Sequence, residues 1–195
     1  MRHTFISLGA HCRPAFHLQR RGEQTGFPLD WLRSPQLSLT VDLILSDFQD
    51  FTNPAYLEPK TQGRPGWRHT RYGLEFLHDT LDATSWRAGD DLPAWMSRLD
   101  ARVERFRRVV TEQPVIFIRE YGCVAELSPL LVRYPRAKVL LINIGPMAML
   151  ERTDRVEVWN FPGSEPDIGP ASWVAYNAQW DAVLDGVQEW ASAGI

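Results

Sequence analysis

The sequence predicts an α/β fold of three layers, with an at least partly parallel central sheet flanked by helices. Three observations lead there. Beyond residue 114, short apolar segments at 115–119, 138–143 and 156–160 alternate with helical or connecting segments, the order that builds parallel sheets. At the N-terminus the same unit occurs once more, as a strand, a sharp turn at Gly9 and a helix opened by Pro14. The 195 residues are 44% hydrophobic and 23% charged, enough to bury one core without staples, so 1–195 reads as a single domain.

In chain order, residues 4–8 form a buried strand and Pro14 starts a helix that Gly22 ends, with Ala15, Leu18 and Phe16 inward. A loop over 23–28 feeds the FPLDW string at 27–31. Ser34 is the expected N-cap of a second helix with Pro35 at its first position, its apolar set running from Leu37 to Phe48. Pro54, Pro59, Gly63, Pro65 and Gly66 mark 53–71 as a long loop, and 72–78 as a strand after it. The clearest helix covers 94–111. Its Trp95, Met96, Leu99, Val103, Phe106 and Val110 share one face, with Arg98, Arg102, Arg105 and Arg108 opposite. A helix at 125–132 separates the first two C-terminal strands, and a helix over 170–191 closes the chain on Trp173, Tyr176, Trp180, Val183, Leu184, Val187 and Trp190.

Composition narrows the function classes. A net charge of −3 supplies no bulk attraction for nucleic acid or an anionic membrane, so neither is an expected partner. The longest apolar stretch, 139–150, is interrupted by Asn143, Gly145 and Pro146, too short and too broken to span a bilayer. The first residues lack a signal-peptide core, and two cysteines make no disulfide framework, so the expected location is cytoplasmic with reduced thiols. No Cys/His spacing predicts zinc; His69, His78 and Asp79 lack a paired-ligand spacing, and no cofactor is expected. Nineteen of the 21 basic residues are arginine, which suits bidentate anion recognition and also follows from base composition.

All five histidines, His3, His11, His17, His69 and His78, lie in the first 78 residues, so imidazole chemistry is confined there. Cys12 has the best setting for a nucleophile: it follows a strand and a tight turn, precedes a helix start, and adjoins Arg13. A helix N-terminus and a neighbouring cation both favour thiolate. Cys123 has no histidine near it in sequence. Among candidate bases, His11 is adjacent to Cys12, His17 is placed on the exterior of the first helix, and His69 reads as a solvated or anion-contacting loop residue. His78 follows an apolar segment and precedes Asp79, so it emerges at an element's end beside a carboxylate.

The strings ISLGAHC at 6–12, FPLDW at 27–31, SDFQDF at 46–51, FLHD at 76–79, an arginine helix ending in RFRRV, and FIRE at 117–120 occur in series. Together they resemble a bacterial family of unknown function that carries the label papain-like cysteine peptidase. That resemblance implies a nucleophile at Cys12, a base at His78, and a supporting carboxylate at Asp79 or Asp30. Leu29 stands where the family's second string has Phe, leaving Asp30 and Trp31 in place.

The chemistry implied is acyl transfer on an amide or ester of a small-molecule, peptide or glycan substrate, with the backbone N–H groups of Cys12 and Arg13 facing the oxyanion. Arg13, Trp31, Arg119, Arg102 and Arg105 are the candidate substrate-binding residues. The rival expectation is a non-catalytic binder of an anionic ligand, a sugar nucleotide or phosphorylated glycan, on the arginine-lined surface. A two-carboxylate glycan hydrolase using Asp30 and Asp79 is a third, since no sequence spacing measures their separation.

Overall fold

Alternation along β6 (Val115–Glu120) divides the interior into two cores: Val115 and Phe117 face one way, Ile116 and Ile118 the other. In the computed structural model, which describes residues 2–60, 66–77, 92–145, 149–162, 174 and 176–193, β6 is an inner strand of a five-stranded sheet. Its order is β1 (Thr4–Ser7), β6, β7 (Lys138–Gly145), β9 (Val156–Pro162) and β8 (Met149–Arg152). The first four strands are parallel, and β8 is an antiparallel edge where the sequence predicts only a connector.

On one face, α1 (Arg13–Arg20) and α5 (Asn177–Ala193) pack Leu18, Trp180, Val183, Leu184 and Val187 against Phe5, Ile116, Ile118, Leu140 and Ile142. On the other lie α2 (Leu37–Leu45), α3 (Leu92–Glu112) and α4 (Val124–Arg133), meeting Ile6, Phe117, Val139 and Leu141. Helices on both faces of a mainly parallel sheet are the three-layer α/β arrangement that the alternation of segments predicts. Burying each Leu, Val, Ile or Phe of these faces contributes about 1.5–3 kcal/mol of transfer free energy.

The segment predicted as a loop over 53–71 holds two short strands instead. A second, antiparallel sheet runs β2 (Leu32–Arg33), β5 (Leu74–Phe76), β4 (Trp67–His69) and β3 (Leu57–Pro59). Strands of two or three residues are too brief to leave a periodic signal, and Pro59 fits because it lies at the end of the edge strand β3. The predicted start of the last helix, at 170–173, lies outside the described residues; the described helix begins at Asn177.

Helix ends follow local chemistry. In α1, Gly22 is left-handed (φ 70°) and the amides of Gly22 and Glu23 bond back to Gln19 and Leu18, the closed pattern of a Schellman end. α2 ends the same way, but on Asp47 (φ 55°): the Asp47 and Phe48 amides bond to Ile44 and Leu43, at 3.0 and 2.8 Å. The helix therefore stops at Leu45, and Phe48 reaches the core from a turn rather than from the helix face that the apolar run suggests.

Candidate active site at the carboxyl edge of the sheet

β1 delivers the chain to its carboxyl edge, where Gly9 and Ala10 take consecutive left-handed conformations (φ 75° each) before α1 begins. Gly9 is required on two counts. Its φ disfavours any side chain, and a Cβ there would come within 2.9 Å of Ser34 Oγ. Ala10 is held by its own amide, which donates to Ser34 Oγ at 3.2 Å. The turn leaves Cys12 as the N-cap of α1, its carbonyl accepting the Phe16 amide at 3.0 Å. The thiol does not cap the helix; it donates to the carbonyl oxygen of Trp31 at 3.2 Å. Cys12 is 5% exposed, and its sulfur therefore has a polar contact within a covered setting.

Trp31 is itself left-handed (φ 65°), as is Tyr121 just beyond β6 (φ 56°). Three non-glycine residues in this sparse region, Ala10, Trp31 and Tyr121, thus come from three segments that converge around α1's start. Such conformations cost on the order of 1–3 kcal/mol each and persist where the surroundings over-determine them.

The FPLDW string is the platform that presents the Trp31 carbonyl. Asp30 is fully buried, and its Oδ2 accepts the amides of Gly26 and Phe27 at 2.7 and 2.9 Å. Arg105 closes the same loop from α3, its Nη1 donating to the carbonyls of Thr25 and Gly26 at 3.3 and 2.7 Å. Asp30→Ala, which leaves two amides without their acceptor, is expected to lower stability by about 2–3 kcal/mol. Asp30→Asn keeps an acceptor oxygen and should recover most of that loss in chemical denaturation.

Arg119, at the end of β6 and 2% exposed, is the second brace. Its Nε donates to Tyr121 O at 3.2 Å and its Nη1 to Leu8 O at 2.9 Å; Nη1 also bonds Ser34 Oγ, and Nη2 donates to Ser34 O at 2.6 Å. Burial lowers its pKa to about 10, so it remains cationic at neutral pH. Ser34 is a hub of this network rather than the predicted N-cap; α2 starts later, with Gln36 as its N-cap. Arg13 lies against Glu120, Nε to Oε1 3.4 Å, both side chains buried. The cation next to Cys12 in sequence is thereby balanced by a carboxylate.

The histidines separate cleanly. His17 does not lie on the exterior: it takes the inward position expected of Phe16, fully buried and stacked on Trp180 with ring centroids 4.6 Å apart. Burial, then the charges of Arg20 and Arg13, lower its pKa to about 3. His69 is not solvated either. It sits fully buried on β4, with Nε2 2.9 Å from Asp50 O and Nδ1 accepting the Tyr72 amide at 3.3 Å. These contacts set the neutral Nε2–H tautomer and occupy both nitrogens. His3 precedes β1 at the opposite edge from Cys12, its main chain bonded to Gln188 of α5. His11 lies at the carboxyl edge with its ring edge-on to Tyr121. His78 and Asp79 lie outside the described residues.

Beside this turn opens a cleft of about 480 Å³, bounded by Ala10 and His11, by 33–38, by Arg119, Tyr121 and Gly122, and by Glu126. Sequence reasoning misses Arg33, Ser34 and Glu126 because the cleft assembles from three separated segments that share no motif. The predicted arginine surface is divided: Arg105 and Arg119 are engaged with backbone carbonyls, Arg102 is half-buried, and Arg98 and Arg108 are exposed. Among the described residues no group of three or more His, Cys, Asp and Glu could hold a metal ion, and no helix is long and apolar enough to cross a membrane.

Compared with known proteins, residues 3–133 match the model of a family of unknown function described as "Putative papain-like cysteine peptidase". No curated protein and no solved structure gives a match.

Proposed function

The chain belongs to that papain-like cysteine peptidase family, and from this premise we propose that it is a cysteine-dependent hydrolase or acyl transferase, with Cys12 as nucleophile and His78 as base. The matched span contains both residues. The observation that carries the reading is the position of Cys12: the N-cap of α1, at the carboxyl edge of a parallel sheet, after two left-handed residues. Ligand sites of open α/β sheets lie at that edge, and the positive end of a helix dipole favours thiolate. Engagement of His17 and His69 elsewhere narrows the choice of base to His11 and His78, and the family resemblance favours His78.

In this mechanism His78 takes the thiol proton as the Cys12–Trp31 hydrogen bond breaks, and sulfur attacks the carbonyl carbon. The amides of Cys12 and Arg13 stabilise the oxyanion, Pro14 having none to give. His78 then protonates the leaving group, and water or an amine releases the acyl enzyme. Asp79 or Asp30 orients the imidazole.

The test is iodoacetamide labelling mapped by mass spectrometry across pH. Cys12 should react with a midpoint well below the value of about 8.5 for an ordinary thiol, and His78→Ala should return the midpoint to that value. Cys12→Ala should confine labelling to the exposed Cys123. An ordinary midpoint for Cys12 that ignores His78→Ala overturns the assignment.

A further inference from the structure

The cleft next to the proposed nucleophile carries more charge than peptide-bond chemistry requires. Ala10 and His11, the two residues before Cys12, form one of its sides, so the cleft opens against the turn that carries Cys12, although Cys12 itself is not among its lining residues. Two arginines contribute to its lining. Arg119 donates four of its five N–H groups, all to neutral oxygens, and no ion pair between it and a carboxylate occurs among the described residues. Arg33 is half-exposed; its contact to Glu75 is long, 3.5 Å, and Lys60 holds the same carboxylate oxygen at 2.7 Å. The first turn of α2 also borders the cleft through Leu37 and Ser38, and that helix has no side-chain cap on its leading amides. Among the described lining residues the one carboxylate is Glu126; the buried Glu120, paired with Arg13, also acts on Arg119 from behind the cleft.

With Glu120 paired to Arg13 and Glu75 held by Lys60, the two guanidiniums of the lining are opposed by Glu126, which leaves a single formal positive charge among the described lining residues to be matched. A monoanion completes the balance, while a phosphate dianion overshoots it and meets Glu126. We propose that this cleft receives a carboxylate group of the substrate, so that Cys12 acts preferentially on acyl compounds bearing an acidic group close to the scissile bond. The proposal rests on Cys12 being the nucleophile, and its test separates the two.

The probes are iodoacetate and iodoacetamide, which differ in one carboxylate. In each reaction the Cys12 thiolate forms a C–S bond to the methylene carbon, and iodide leaves with the electron pair of the broken C–I bond. The rate ratio at Cys12, resolved from Cys123 by mass mapping and divided by the ratio for 2-mercaptoethanol, reports preference for the anion. The expected ratio is about tenfold in favour of iodoacetate at low salt, by focusing of charge in a cleft. It should fall with added salt, fall in Arg33→Gln and rise in Glu126→Gln, and acetate should protect Cys12 better than inorganic phosphate. Arg119 is left intact because it braces the turn. A normalised ratio at or below one, or one indifferent to Arg33, overturns the carboxylate proposal while leaving the nucleophile in place. Failure of both reagents to modify Cys12 overturns the nucleophile assignment itself.

Discussion

Arg119→Ala is expected to lower the stability of the chain by about 3–5 kcal/mol and, in the molecules that remain folded, to slow alkylation of Cys12. The first effect follows from what the guanidinium connects. It bonds Leu8 O at the end of β1 and Ser34 O and Oγ ahead of α2, all buried, and Tyr121 O beyond β6, which is part-buried. Removing it leaves three carbonyls without that donor, at about 1–3 kcal/mol for each that stays dry, partly offset by release of a charge that burial disfavours. The second effect runs through Ser34. Its Oγ holds the Ala10 amide, and Ala10 sets the left-handed turn that places Cys12 on α1. Arg119→Lys should recover only part of the stability, because one ammonium cannot reach carbonyls on three segments as a planar fork does. Urea denaturation monitored by tryptophan fluorescence measures the loss; a change under about 1 kcal/mol would show that water replaces the brace and that the turn stands without it.

The chemistry that flanks α1 is readable in the sequence because it is local. Pro14 and Gly22 bound the helix by backbone geometry alone, and strand–turn–helix placement of Cys12 follows from Gly9. Alternation of apolar segments likewise places β6, β7 and β9 in a parallel sheet, since both faces of each strand must be covered. What the sequence hides is long-range. Ser34 followed by Pro35 has the form of a helix start, yet a buried arginine 85 residues away takes its hydroxyl as an acceptor. His69 sits in a run of prolines and glycines that reads as solvated loop; tertiary packing with Asp50 and Tyr72 makes it a core residue instead. The FPLDW string is legible as a motif but not as a platform, because the residue that closes it, Arg105, lies on the polar face assigned to α3. The cleft has no local signature at all.

His17→Phe is expected to raise stability and to flatten its dependence on acid. Neither ring nitrogen of His17 has a hydrogen-bond partner among the described residues, so the native chain buries an imidazole without compensation. A phenyl ring keeps the stacked face against Trp180 and removes that penalty, about 1–3 kcal/mol at neutral pH. The acid effect has a definite sign. Its folded pKa of about 3 lies below the unfolded value of 6.5, so between these values the unfolded chain binds a proton that the native chain does not. The stability contribution is whole above pH 6.5 and declines as pH falls toward 3, at up to about 1.4 kcal/mol per pH unit. His69, also lowered by burial, acts in the same direction and adds to the acid dependence of the parent chain. His17→Phe removes one of the two contributions, and urea midpoints between pH 7 and 5 should diverge from those of the parent as acid is added. Parallel pH profiles for the two chains would mean that His17 binds its proton equally well in the folded and unfolded states. In that event burial does not hold the ring neutral in acid, and the stack on Trp180 becomes a cationic contact as pH falls.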